Sequence, residues 1–250
     1  MKTGLLLALF AVSLQAEWLV QPPPLLRIIQ TVGTRPALEN PIGDTAAGVY
    51  LFGATSLTGR AETWLLETHD SFASLEQFDA GIAYPSRGRN AGGEESRTWI
   101  AFYRHWWSHL PEEAVQAFRK ARYLQISIYH TGLGNETEFA NMLQERKRNL
   151  SALNLNRPDL VYQVLSGAPS GLYLVISPLP SLAALDDGVS RSAAGYLRAS
   201  GAPVSRPGGS TVTPGSNLSH ENLIFRLEPT FSVVSSDFLD QNPGFWKPAR

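Results

Sequence analysis

Short runs rich in apolar, β-branched and aromatic residues recur along most of the chain, separated by glycine and proline clusters, and one of them, Tyr123 to His130, alternates apolar and polar positions with a period of two. This pattern predicts strands over residues 25–32, 49–57, 62–69, 98–106, 123–130, 160–165, 172–177 and 222–228. Thr58-Gly59-Arg60 and the stretch Ser166 to Gly171 read as hairpin turns. Helical spacing replaces these runs in four places. Leu75, Phe78 and Ile82 share a face over 72–83. Pro111 opens a helix over 111–119, with Glu112 and Glu113 in its first turn. Asn135 precedes a run to about Leu153 with Phe139, Met142, Leu143, Arg146 and Leu150 at helical spacing. A fourth helix is expected over 181–197. Residues 86–96 and 201–219 read as loops, the latter flexible because it is rich in Gly, Ser, Thr and Pro.

Parts of this pattern recur. Leu75 to Ile82 resembles Leu182 to Val189, each following a serine and an apolar run. Trp107-Ser108 before Pro111-Glu112-Glu113 resembles Phe231-Ser232 before Ser235-Ser236-Asp237. Such repetition is expected of a duplicated module. The predicted order in the second half is β-α-β-β-α-β, the ferredoxin-like unit. The first half follows it with a reduced first helix, because Pro36, Pro41, Gly43 and Gly48 interrupt the window between its first two strands. The expected fold class is therefore α+β. Two tandem ferredoxin-like modules, 17–120 and 121–250, would pack sheet to sheet as a single-chain dimeric α+β barrel.

Residues 1–16 read as a signal peptide: Lys2 is the positive region, Gly4 to Leu14 the apolar core, and Leu14-Gln15-Ala16 the cleavage site. Export to the periplasm or beyond is expected, with no membrane span after cleavage, since the apolar run is shorter than the roughly 20 residues a bilayer requires. The chain has 250 residues, 43% hydrophobic and 17% charged, enough to bury a core. Its net charge of −1 gives no electrostatic reason to expect nucleic acid. The absence of cysteine excludes thiol nucleophiles, cysteine-ligated metals and disulfides.

Ala121-Arg122-Tyr123, the run Gly171 to Pro178 leading into Ser181-Leu182, and Asn242-Pro243-Gly244-Phe245-Trp246-Lys247-Pro248 resemble a family of exported bacterial proteins of the Acidobacteria type. Ser56-Leu57-Thr58-Gly59 and Asp70-Ser71-Phe72-Ala73 extend the likeness into the first half. That resemblance implies tandem ferredoxin-like modules and no established activity. A more distant similarity is to the dimeric α+β barrel superfamily, whose members include cofactor-free monooxygenases, haem-handling proteins and NIPSNAP-like proteins. The sequence departs from the pattern at His105-Trp106-Trp107-Ser108-His109, so the resemblance implies no role for those histidines.

Candidate chemistry is sparse. No nucleophile elbow, P-loop or dinucleotide fingerprint is present, so no cofactor is expected. His105 and His109 stand four apart, a metal-ligand spacing only on a helix; the expected strand end there points to no metal. His69 ends a strand two residues after Glu67, the composition of a general base. Tyr123, Gln125, Ser127 and Tyr129 share one face of their strand, and Arg27 occupies the matching face in the first half. If apolar faces pack under helices, the polar set Arg27, Glu67, His69, Gln125, Ser127 and Tyr129 lines a cavity between the sheets. The function expected from this is an exported, non-catalytic binding or interaction module for a small apolar or aromatic ligand. The alternative is a cofactor-free oxygenase or isomerase working in the inter-sheet cavity with His69 and Tyr129.

Overall fold

A computed structural model describes residues 21–32, 49–81, 96–132, 134–186 and 219–247. Eight strands close into one barrel: β1 (Leu25–Val32), β2 (Leu51–Ser56), β3 (Glu62–His69), β4 (Ser96–Tyr103), β5 (Tyr123–His130), β6 (Leu160–Ser166), β7 (Leu172–Leu179) and β8 (Ser219–Leu227). Around the barrel they run β1-β3-β2-β8-β5-β7-β6-β4, and every neighbouring pair is antiparallel. Helices α1 (Phe72–Gly81), α2 (Pro111–Phe118) and α3 (Glu136–Ala152) follow β3, β4 and β5, and two short helices, Ser236–Gln241 and Pro243–Trp246, follow β8. No described helix is long and apolar enough to cross a membrane.

The strands form where these runs predict them, but the sheets do not stack face to face. They join edge to edge. β2 meets β8 through Ala54↔Leu227, Thr55↔Arg226 and Ser56↔Phe225, and β4 meets β6 from Ile100↔Ser166 to Tyr103↔Tyr162. Closure pairs the edge strands that two separate sheets would leave open. Glycine makes two close approaches possible. A Cβ on Gly53 would lie 2.4 Å from the Cβ of Phe231, where the turn Pro229–Phe231 crosses β2. One on Gly167, at φ +90°, would lie 1.9 Å from the Thr98 carbonyl oxygen beside the β4–β6 seam.

Closure also decides which face of each strand points inward. The lumen of a small barrel must be filled with side chains, and the apolar set takes that place: Leu26 and Ile28, Phe52 and Ala54, Trp64 and Leu66, Trp99 and Ala101, Leu124 and Ile126, Tyr162, Leu174 and Ile176, and Phe225 form one buried cluster. Trp64 sits centrally, 4.7 Å from Phe225 and edge-on to Trp99 at 5.7 Å between ring centroids; its indole N–H donates to Glu62. Val115 and Phe118 of α2 and Phe238 and Trp246 of the C-terminal helices plug one end against Tyr50 and Phe52. The cavity left in the lumen measures about 50 Å³ and is walled by Leu26, Phe52, Leu66, Leu160, Ile176 and Phe238 among others.

Four expectations fall outside the described residues: the signal segment 1–16, the shortened helix over 33–48, the loop 86–96 apart from Ser96, and the loop 201–219 apart from Ser219. Of the helix expected over 181–197, everything beyond Asp186 also lies outside them.

Candidate functional site

The six polar positions expected to line an inter-sheet cavity lie on the outside of the barrel, in two separate places. The apolar set fills the lumen, so alternation sends Arg27, Glu67, His69, Gln125, Ser127 and Tyr129 outward. β2 and β8 stand between β3 and β5 in the barrel, which sets the two groups apart by roughly three strand spacings, about 14 Å.

The first group is a real cluster. Arg27 and Glu67 are cross-strand partners in the β1–β3 register and their side chains form a buried ion pair. Arg27 also pairs with Asp79 on α1 at 2.7 Å and lies 5.8 Å from the Phe78 ring centroid. His69 is buried at 1% exposure, edge-on to Phe78, with its Nε2 3.5 Å from a Glu67 carboxylate oxygen and neither ring nitrogen hydrogen-bonded. The composition is that of a proton-transfer dyad, but none of its three strand residues faces the lumen cavity.

The second group divides again. Gln125 and Ser127 both donate to the Asn222 side-chain oxygen on the outer, partly exposed face of β5 and β8. Tyr129 instead packs under α3 against Phe139 and stacks on His220 at 4.7 Å. Burial raises its phenol pKa.

The room for a ligand is elsewhere. An open cleft of about 650 Å³ lies where β4 ends, between the lead-in Gln21–Pro24 and the segment Phe102–Trp107. β4 stops at Tyr103, and His105–Trp107 form a single 3-10 turn. The turn is clamped from several sides. The Arg104 amide donates to the Val161 carbonyl, and Ser108 Oγ accepts from the Val161 amide while donating to the Arg104 carbonyl. The His109 amide donates to Asp159, whose carboxylate is fully buried and ion-paired with Arg146 of α3. Gln144 and Lys147 of α3 both donate to the Trp106 carbonyl.

The clamp holds two tryptophans in opposite senses. Trp107 turns in, edge-on to Phe139 and Tyr173. Trp106 turns out and is 80% exposed. Beside them the Arg104 guanidinium lies 5.4 Å from the Phe102 ring centroid and 6.0 Å from that of Trp107, with its Nε and Nη2 hydrogens donated to Gln163. The opposite wall is held by Tyr162, whose hydroxyl donates to the Pro23 carbonyl, and by the Tyr103 amide, which donates to the Pro24 carbonyl. Burial pushes the Tyr103 phenol up to about 12, so it stays protonated and neutral at ordinary pH.

His105 and His109 do not make a metal pair. The chain leaves the strand through a single turn and enters an isolated bridge with Asp159, so the four-residue spacing never lies on one helical face. Among the described residues, no cluster of three or more His, Asp or Glu is placed to hold a metal ion. Phe102, Arg104 and Trp106 are absent from the site expected from the sequence. The available signal was the run Phe102 to Trp107, in which every residue is aromatic or basic, following a strand.

Solved structures of similar fold include a variant of chlorite dismutase from Candidatus Nitrospira defluvii, with TM-score 0.50 and 8% identity over 89% of this chain and 97% of that one. An anthrone oxidase-like protein matches with TM-score 0.49 and 10% identity over 84% and 93% of the two chains. A haem-binding protein from Thermus thermophilus matches with TM-score 0.46 and 11% identity over 89% and 96%. The chain thus has the mixed α+β fold, with an antiparallel sheet, of the dimeric α+β barrel proteins. No family model and no curated protein matches the sequence.

Proposed function

We propose that this chain binds a small aromatic molecule in the cleft beside Trp106, outside the barrel. One observation carries the reading: a largely exposed tryptophan is held in place by two hydrogen bonds from α3 to its own carbonyl, at the edge of a cleft in the size range of small-molecule sites. A slack loop would let so large an apolar surface fold away. The cavity that the described residues leave in the lumen is far smaller: about 50 Å³ holds no more than a few waters. The strand order also supports a duplicated origin. In each half it reads fourth, first, third, second, as expected of two ferredoxin-like modules fused in one chain. Residues 1–16 support export, which would place the binding event outside the cytoplasm.

The reading is tested by titrating the protein with a fluorescent aromatic probe and following tryptophan emission. Trp106→Ala is expected to abolish saturable binding while leaving the unfolding midpoint within a degree or two, since exposed side chains contribute little to stability. Undiminished binding by that variant would refute it.

A second reading is catalytic: cofactor-free oxygenase or isomerase chemistry. Structural neighbours at TM-score 0.50 include a protein that is by name an enzyme, chlorite dismutase, which favours catalysis of some kind over an inert module, although 8% identity carries the fold alone. Its specific support is His69, buried beside Glu67 with both ring nitrogens unbonded. Such chemistry would run beneath α1, not in the filled lumen. His69→Gln would abolish turnover while leaving probe binding at the cleft intact.

A further inference from the structure

Resting on the cleft as the binding site, we infer that its ligand is a planar aromatic anion, such as an aryl carboxylate, sulfonate or phenolate. The argument starts from Arg104. The residue is half-buried, its guanidinium lies near the rings of both Phe102 and Trp107, and its Nε and Nη2 both donate to the neutral oxygen of Gln163. Nη1 makes no hydrogen bond among the described residues, and no described carboxylate lies within ion-pairing distance of this arginine. Of the four other buried or half-buried described arginines, three meet a carboxylate or a backbone oxygen: Arg27 has Glu67 and Asp79, Arg146 has Asp159, and Arg157 has two carbonyls. The fourth, Arg119, has a buried Nε without a hydrogen-bond partner, but it does not line the cleft. A partly desolvated cation without a counter-charge is costly unless a ligand supplies one.

The surrounding groups define the rest of the ligand. The exposed Trp106 ring, edge-on to His105 at 5.2 Å, offers a stacking face next to the charge. The two nearby aromatic rings and its partial burial lower the local dielectric around the guanidinium and strengthen its pull on an anion. Three other titratable groups line the cleft, and Tyr103, pushed up to about 12 by burial, stays neutral at ordinary pH. His105 adds positive charge only when protonated. Glu112, exposed in the first turn of α2, opposes an anion from the far wall. That opposition makes the inference testable from both directions.

The test compares anilinonaphthalene sulfonate with its uncharged parent, phenylnaphthylamine, by fluorescence titration. The sulfonate is expected to bind about tenfold more tightly, the size of one charge contact in a partly wet site. Trp106→Ala should weaken both probes. Arg104→Met should erase the difference between them. Glu112→Gln, a surface change that touches no packing, should tighten the sulfonate several-fold and leave the neutral probe unmoved. It decides the matter even if Arg104→Met unfolds the β4–β6 seam. Equal affinity for the two probes, or a preference insensitive to Glu112→Gln, would overturn the anion assignment while leaving the cleft standing as a site. Binding of neither probe would overturn the proposed function with it.

Discussion

A buried cluster of charges fastens one helix to this barrel, and aromatic packing with a single buried ion pair, Arg146–Asp159, fastens another. Beneath α1, on the outside of the first half, lie Arg27, Glu67 and His69, with Asp79 and Phe78 contributed by the helix. The strand registers Leu25↔His69 and Tyr123↔Leu179 put β1 and β3 in the same frame as β5 and β7. Gln125, Ser177 and Leu179 then stand where Arg27, Glu67 and His69 stand in the first half. The second half keeps no buried charge there. Its outer face is instead gathered under α3, where Phe139 stacks on Tyr173 at 4.4 Å and Leu143 closes over Val161 and Val175. The contrast shows that the barrel dictates only the inward face. The outer face of each half is free to be apolar glue or a polar cluster, and that is where the two halves differ.

The largest effect should come from breaking the apolar side. Phe139 is 1% exposed and touches Tyr129, Tyr173 and Trp107. Phe139→Ala is expected to lower the unfolding free energy by about 3–5 kcal/mol in a denaturant titration. It should also release the Trp107 side of the cleft turn and weaken probe binding. A loss below about 1 kcal/mol would mean that α3 is not held by this cluster.

Next is the charged side. Glu67→Gln strips the buried Arg27 of its nearest counter-charge, and a loss of about 3 kcal/mol is expected. The effect stops short of the upper range because Asp79 still faces Arg27. Arg27→Met combined with Glu67→Leu should recover most of it, since a buried pair replaced by apolar groups is often neutral or better. If the double variant is worse than the single, the pair contributes more than charge balance.

The existence of the strands was legible because eight-residue runs such as Tyr123 to His130 admit few other readings. Which face turns inward was not. β3 and β7 are buried on nearly every residue, so their alternation carries no information about side. A barrel was expected, but as two sheets packed face to face; the strands instead join edge to edge around one lumen, and that closure is what claims the apolar face. His69, Glu67 and Arg27 do come together as their residue types suggested, but on the other side of the sheet. The cleft was hidden for a different reason. Its walls are Gln21–Pro24 and Phe102–Trp107, far apart in the chain, and Arg104 looked like an ordinary strand-end residue until its lack of a counter-charge was visible in space.

His69 separates structure from function on a smaller scale. An unbonded imidazole under a helix wastes the hydrogen bonds it would make in water, and the matching position in the second half holds leucine. His69→Leu is expected to raise stability by about 1 kcal/mol, the lower end of the penalty for a buried polar group without partners. A gain in stability accompanied by loss of an activity would mark His69 as kept for chemistry. A loss of stability would mean that its contact with Glu67 is a net structural bond, and the catalytic reading would lose its only specific support.

The smallest expected effect is a pH slope from two histidines, one in each half, on the side of the barrel that α3 covers. His109, in the clamp under the cleft, and His220, stacked on Tyr129, both have pKa values lowered from 6.5 by burial, with Asp159 partly opposing the shift at His109. When the chain unfolds, these rings regain the ordinary value and take up protons near pH 6.5. Between that value and the lower folded one, the unfolded state therefore holds more protons. The stability they contribute is complete above about pH 6.5 and falls as the solution is acidified through it, with a slope of at most about 1.4 kcal/mol per pH unit for each histidine. Denaturation measured from about pH 8 down to about pH 5.5 stays above the range in which ordinary carboxylates titrate, so the slope can be read cleanly. His109→Gln should flatten it by up to half and leave the plateau at high pH within about 1 kcal/mol. Because the buried Asp159 is held through the His109 amide and Arg146, not through the imidazole, the cleft turn should stay closed in that variant and probe affinity should not move. A slope unchanged by His109→Gln would place the titrating group elsewhere, and a fall in probe affinity would mean that the ring itself helps to hold the cleft.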